Sequence, residues 1–141
     1  NARVSVTHHW MSFSARNKYS PFDHLARFMR DSVFNHCFMA AMHTGKLAWP
    51  WPANMDSRLR NLSGELAGLA GSMDFIGINY YTRQFCEFEY KWPIDVFGVK
   101  AEIAENELSG LGWESYPQGL YNLLVHELKP YRFDATGMKR T

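Results

Sequence analysis

Asn79, Tyr80, Tyr81 and Thr82 are four consecutive hydrogen-bonding residues directly after the apolar run Phe75-Ile76-Gly77-Ile78. That run is too short for a helix and follows the turn-forming Gly71-Ser72, so it reads as a buried parallel strand. Side chains two apart on a strand share a face, which pairs Asn79 with Tyr81 and Tyr80 with Thr82. In parallel α/β architectures function sits at the C-terminal ends of the strands. A buried strand ending in amide and hydroxyl groups is therefore a candidate site. The plainer alternative, that these groups tie a loop to the strand end, stays open at this level.

Other candidate groups are weaker. His8-His9-Trp10 follow the strand-like Arg3–Thr7, but adjacent strand residues point to opposite faces and no Asp, Glu or Cys is grouped with them. They are expected to line a strand end, and no metal or other cofactor is expected. His36 and His43 lie seven apart on one helix face, a spacing that helix surface and core contacts explain. Cys37 and Cys86 are the two cysteines, not in metal-type spacing, which fits a reducing, cytoplasmic setting and excludes a disulfide framework.

Composition narrows the classes further. At 141 residues the chain can build one real core, and its net charge is +1 with no basic stripe. Nucleic acid is thus not an expected partner. The longest apolar runs fall far short of a membrane span, and no leader pattern opens the sequence, so no membrane association is expected. Aromatic content of 16%, with five Trp, suits a large core or a surface that stacks on sugar-like ligands.

The elements that would position these groups follow from periodicity. After the Arg3–Thr7 strand, Phe13–Tyr19 reads as a basic loop. Ser20-Pro21-Phe22-Asp23 is a helix start, with Ser as N-cap and Pro at the first helical position. Phe22, Leu25, Met29, Val33, Cys37 and Ala40 form its stripe, broadened by Phe34, Phe38 and Met42, and Gly45 ends it. Leu47–Pro52 must be a loop. A second helix is expected from Asp56 to Leu69, stopped by Gly71. Strand, helix, helix, strand makes a βαβ unit with parallel strands. Gln84–Ser109 is less regular, with Phe85, Phe88 and Tyr90 read as an extended arm. Gly110–Glu114 is a tight turn, and Pro117 starts a helix through Leu120, Leu123, Leu124 and Leu128.

Three segments carry a family resemblance. Asp74-Phe75-Ile76-Gly77-Ile78-Asn79-Tyr80-Tyr81-Thr82 resembles the sixth-strand motif of glycoside hydrolase family 1, the β-glucosidase and 6-phospho-β-glucosidase family. Gly112-Trp113-Glu114-Ser115-Tyr116-Pro117-Gln118-Gly119-Leu120-Tyr121 is similar to its later G-W-E-x-x-P-x-G-L segment. Phe38–Gly45 is similar to a family helix, departing in Ala40-Ala41. The resemblance spans residues 1–133 and leaves 134–141 as a divergent tail. It implies an α/β fold, a partial TIM (β/α)8 barrel with roughly strands five and six and their helices. A whole barrel takes about 250 residues.

The resemblance also implies what to look for in the site. Tyr81 would hydrogen-bond the nucleophilic carboxylate of the parent enzyme, favouring its charged form, with Asn79 on the same side. Tyr80 would point to the surrounding helices. No Asn-Glu-Pro acid/base motif or Thr-Glu-Asn-Gly nucleophile motif occurs here, and Glu105-Asn106 lacks the strand that should precede it. No catalytic residue is therefore assigned. The expectation is part of a retaining β-glycosidase, inactive alone, whose parent takes a β-glucoside or oligosaccharide and whose missing barrel segments come from elsewhere. A different class would be a non-catalytic sugar-binding or scaffold protein that stacks ligands on Trp49, Trp51, Trp92 and Trp113.

Overall fold

The computed structural model describes residues 2–48, 64–90, 97–100 and 108–131. Its spine is a parallel pair, β1 (Ser5–Ala15) beside β4 (Phe75–Glu87), in register from Ser5 opposite Phe75 to Ala15 opposite Cys86. Between them in sequence run α1 (Pro21–Asp31), a π-helical segment (Ser32–His36), α2 (Cys37–Thr44) and the short antiparallel pair β2 (Lys46–Leu47) with β3 (Gly64–Glu65). β5 (Val99–Lys100) lies antiparallel to the far end of β4. α3 (Pro117–Asn122), a second π segment (Leu123–Glu127) and a 3₁₀ turn (Lys129–Tyr131) complete the described chain. The parallel βαβ expectation holds. The described residues form an α/β unit with few strands and no closed barrel.

Both long strands exceed what the sequence pattern predicts. Residues 13–15, read as loop, are strand, because the β4 ladder continues opposite them as far as Cys86. The first helix starts and stops as expected. Ser20 Oγ accepts from the Asp23 amide at 3.2 Å, and Gly45 turns into the left-handed region at φ 74°.

Its buried face is different from the predicted stripe. Of that stripe Met29, Cys37 and Met42 are buried but Phe22, Leu25, Phe34 and Phe38 are exposed, and Asp23, Ala26, Ser32, Asn35 and Met39 take the other buried positions. The offset begins in the first turn, where Phe22 and Leu25 precede the π segment, and Cys37 and Met42 beyond it are still buried. The second helix expected over Asp56–Leu69 fails in its described part. Residues 64–65 pair with 46–47, and Gly68 has φ 77°, which a right-handed helix does not admit. Residues 56–63 of that expectation, Trp49, Trp51, Trp92, Glu105-Asn106 and the 134–141 tail lie outside the described residues.

One face of the strand pair builds the core. Trp10 and Ile76, with partly buried Val6, Ile78 and Tyr80, pack against Met39 and Met42 of α2 and against Leu123, Leu128 and Tyr131. Met39 is wholly buried and contributes about 2 kcal/mol by removal from water. The next residues on the opposite face, Thr7, His9, Asn79 and Tyr81, are exposed.

Buried polar groups fasten this frame. Asp23 takes the amides of Asn17 at 2.9 Å and Phe88 at 3.0 Å, tying the exits of both long strands to the start of α1. His36 binds the helical run to the C-terminal segment. Its Nδ1 lies 2.7 Å from the Tyr131 hydroxyl, and its Nε2 lies 3.4 Å from Glu127 and 3.7 Å from Asp31. Burial disfavours the charged ring, but the Glu127 bond and the charges of Asp31 and Glu127 outweigh it and raise its pKa. Glu127 is held below the usual carboxylate range, mainly by the same bond.

A raised histidine pKa gives stability that is present below the unfolded value of about 6.5 and lost as pH rises through the folded value. His8, lowered chiefly by burial, contributes in the opposite sense only below its unfolded pKa, so the alkaline limb isolates His36. From about pH 7 to about pH 8.5 the urea midpoint of the chain should fall, and His36→Gln should flatten that slope.

Candidate functional site

The irregularity that shapes the site lies in the middle of the strand pair. Trp10 faces Tyr80 and Ser12 faces Arg83, so Met11 stands opposite both Tyr81 and Thr82. Such a bulge re-aims side chains and leaves backbone groups without ladder partners. Asn35, wholly buried on the first π segment, pairs with the Met11 backbone: its Oδ1 accepts from the Met11 amide at 3.2 Å and its Nδ2 donates to the Met11 carbonyl at 2.8 Å.

At the bulge Tyr81 is half-exposed and held by rings rather than by burial. His9 stands edge-on to it at 5.1 Å, Trp113 lies tilted against it at 5.3 Å, and Phe34 meets His9 at 5.4 Å. His9, Tyr81 and Trp113, with Met11, Thr82, Arg83, Lys100 and Glu114, line a cleft of about 310 Å³, and Phe34 backs His9 from outside it.

The opposite wall is fastened to β4 residue by residue. Tyr80 turns toward the helices, as expected, and donates to the Tyr116 carbonyl at 2.8 Å. Thr82 Oγ1 donates to the Glu114 carbonyl at 3.0 Å. Arg83 grips the Glu114 carboxylate with two nitrogens, Nε at 2.9 Å and Nη2 to the second oxygen. The Glu114 bond raises the already high pKa of Arg83, so the guanidinium stays charged. The expected tight turn is present: the Gly112 amide reaches the Ser109 carbonyl at 2.8 Å with Gly112 at φ 73°.

A cleft of aromatic faces with a few polar groups can stack on a ring-shaped polar ligand and orient it. It holds no pair of free carboxylates among the described residues. Glu114 is the acid in its lining, and Arg83 occupies both of its oxygens. No group of three or more His, Cys, Asp or Glu side chains suited to a metal occurs among the described residues.

Of the two residues singled out by sequence, Tyr81 lines the cleft, whereas Asn79, exposed on the same face, lies outside its lining. His8 and His9 part company as their alternation requires. His9 joins the cleft, while His8 stacks on Phe38 at 5.0 Å. Arg83 and Glu114 were not anticipated, since their partnership spans 31 residues and has no local signature.

No protein-family model matches the chain. Among curated proteins it is 38% identical over 64 residues to a beta-galactosidase of Saccharolobus solfataricus, across 40% of this chain and 13% of that one. It is 28% identical over 71 residues to beta-glucosidase A of Thermotoga maritima, across 50% and 15%. A solved family 1 β-glucosidase from Thermotoga maritima superposes with a TM-score of 0.70 at 18% identity, over 93% of this chain and 29% of that one. A β-glucosidase from Exiguobacterium marinum gives 0.69 at 24% identity, over 91% and 29%. The chain thus spans under a third of these relatives.

Gly119 is what lets α3 approach the strand pair. A Cβ there would strike the Tyr80 hydroxyl, with Ser12 Oγ at 2.5 Å and the Tyr116 ring at 2.8 Å. Gly119→Ala should destabilise the chain by about 1–3 kcal/mol, read as a lower urea midpoint.

Proposed function

We propose that the chain is part of a glycoside hydrolase family 1 enzyme, supplies strands five and six of a retaining β-glycosidase barrel and is catalytically incomplete by itself. One observation carries the reading. A parallel strand pair, matched over more than nine-tenths of the chain by family 1 β-glucosidases, ends in an aromatic cleft whose carboxylate is already neutralised. Retaining glycosidases need two carboxyl groups about 5–5.5 Å apart, one to protonate the leaving oxygen and one to attack the anomeric carbon. Glu114 can do neither while Arg83 holds it.

In this reading β1 is the fifth strand and β4 the sixth. Tyr81 donates its phenolic hydrogen to a nucleophilic carboxylate carried by another part of the barrel, keeping it ionised and aimed. The substrate of the assembled enzyme is a β-glucoside or related oligosaccharide, and the partner of this chain is the complementary set of barrel segments. The exposed faces of Thr7, His9, Asn79 and Tyr81 support that, because a closed barrel turns such residues inward. No described helix is long and apolar enough to cross a membrane. A cytoplasmic setting rests on the free thiols of Cys37 and Cys86.

The purified chain should give no hydrolysis of an aryl β-glucoside above a protein-free control. Turnover that Tyr81→Phe abolishes would overturn its incompleteness. A saturable change in Trp fluorescence with cellobiose, without turnover, would instead favour a sugar-binding module.

A further inference from the structure

The Arg83–Glu114 pair is more elaborate than a tether requires. The guanidinium plane lies 3.9 Å from the Tyr116 ring centre on one contact and 4.3 Å from the Phe85 ring centre on another, and both carboxylate oxygens are engaged. The Arg83 side chain is 21% exposed and that of Glu114 11%. Yet the 112–116 segment is already fastened to β4 by Thr82 on the Glu114 carbonyl and Tyr80 on the Tyr116 carbonyl. Two backbone bonds fix where that segment lies. They leave its rotation about its own axis loosely set.

A planar fork does fix that rotation. Bidentate pairing confines the carboxylate to the guanidinium plane, and two flanking rings confine the plane itself. Glu114 makes an isolated antiparallel bridge to Leu108, so the segment is locally extended there, and adjacent side chains leave it on opposite sides. Setting the direction of Glu114 therefore sets that of Trp113. The Trp113 backbone is tied to Ser109 of the same turn, its carbonyl to the Ser109 amide at 2.7 Å and its amide to Ser109 Oγ at 3.2 Å, so these bonds move with the turn and do not set its roll against β4.

We propose that Arg83 is a positioning residue, whose fork on Glu114 sets the roll of the 113–114 segment and so seats the Trp113 ring against Tyr81 on the cleft wall. This goes beyond the glycosidase reading and rests on it only for what the wall faces. Lys at this position would keep the charge but lose the fork and most of the stacking.

The test isolates Trp113's own near-ultraviolet circular dichroism and fluorescence by subtracting Trp113→Phe from each background, with and without Tyr81→Phe, in the full chain. In the parent background the Trp113 signal should depend on Tyr81. In Arg83→Lys more than half of that dependence should vanish while the far-ultraviolet spectrum is kept. A Trp113 signal equally dependent on Tyr81 in Arg83→Lys would overturn the proposal. Should Arg83→Lys not fold, Glu114→Gln decides on the same readout, since it leaves the Thr82 and Tyr80 bonds in place. Loss of structure in both would assign the pair to folding and also overturn it. No sugar is used, so this result and the fate of the glycosidase reading are independent.

Discussion

The parallel ladder between β1 and β4 is the constraint on which everything else here depends. A parallel pair needs a long crossover, and the helical run from Pro21 to Thr44 supplies most of its described length. One face of the ladder is the floor of the core, and the alternate residues of the same strands present His9 and Tyr81. The bulge opposite Met11 joins these two roles. Beside it Asn35 holds both backbone groups of Met11 from a helical run that has itself departed from α geometry. The site is therefore formed where strand and helix are both irregular.

Polar side chains hold this small core to its strand ends. Asp23, Asn35, His36 and Arg83 each connect segments far apart in sequence, and each has its partners satisfied. Buried polar groups stabilise little on average but cost heavily when left unpaired, so such groups specify one arrangement against others. His36 adds a dependence on protonation, because its charge complements Glu127 and Asp31 at the join between the helical run and the last described turn.

The same economy explains what the cleft can and cannot do. Its aromatic rings and its fork-held glutamate make a shaped wall, and shaping is what a glycosidase asks of residues that do not carry the reaction. A carboxylate with both oxygens on a guanidinium is a poor base and a poor nucleophile. Under the proposed reading, the reacting carboxyl groups lie outside this cleft's described lining.

Much of this was legible in the sequence because the signals were local. Ser20, Pro21 and Gly45 mark helix ends through their own backbone chemistry, Phe75–Ile78 a strand through its apolar run, and Gly110–Glu114 a turn through its residues; the polar strand end singled out Tyr81, which lines the cleft, and Asn79, which does not. What stayed hidden was set by contacts at a distance. The reach of β1 to Ala15 depends on a partner strand 70 residues away, as the Ser5–Phe75 register shows. The buried face of the first helix includes polar Asp23 and Asn35, whose partners Phe88 and Met11 lie on other segments, and the helix expected through Leu69 yielded to a left-handed Gly68 and a strand pairing. Arg83 and Glu114 each look like a solvated charge when read alone. A sequence determines which groups its local chemistry favours, whereas pairing across a ladder bulge is decided by geometry that exists only once the strands meet.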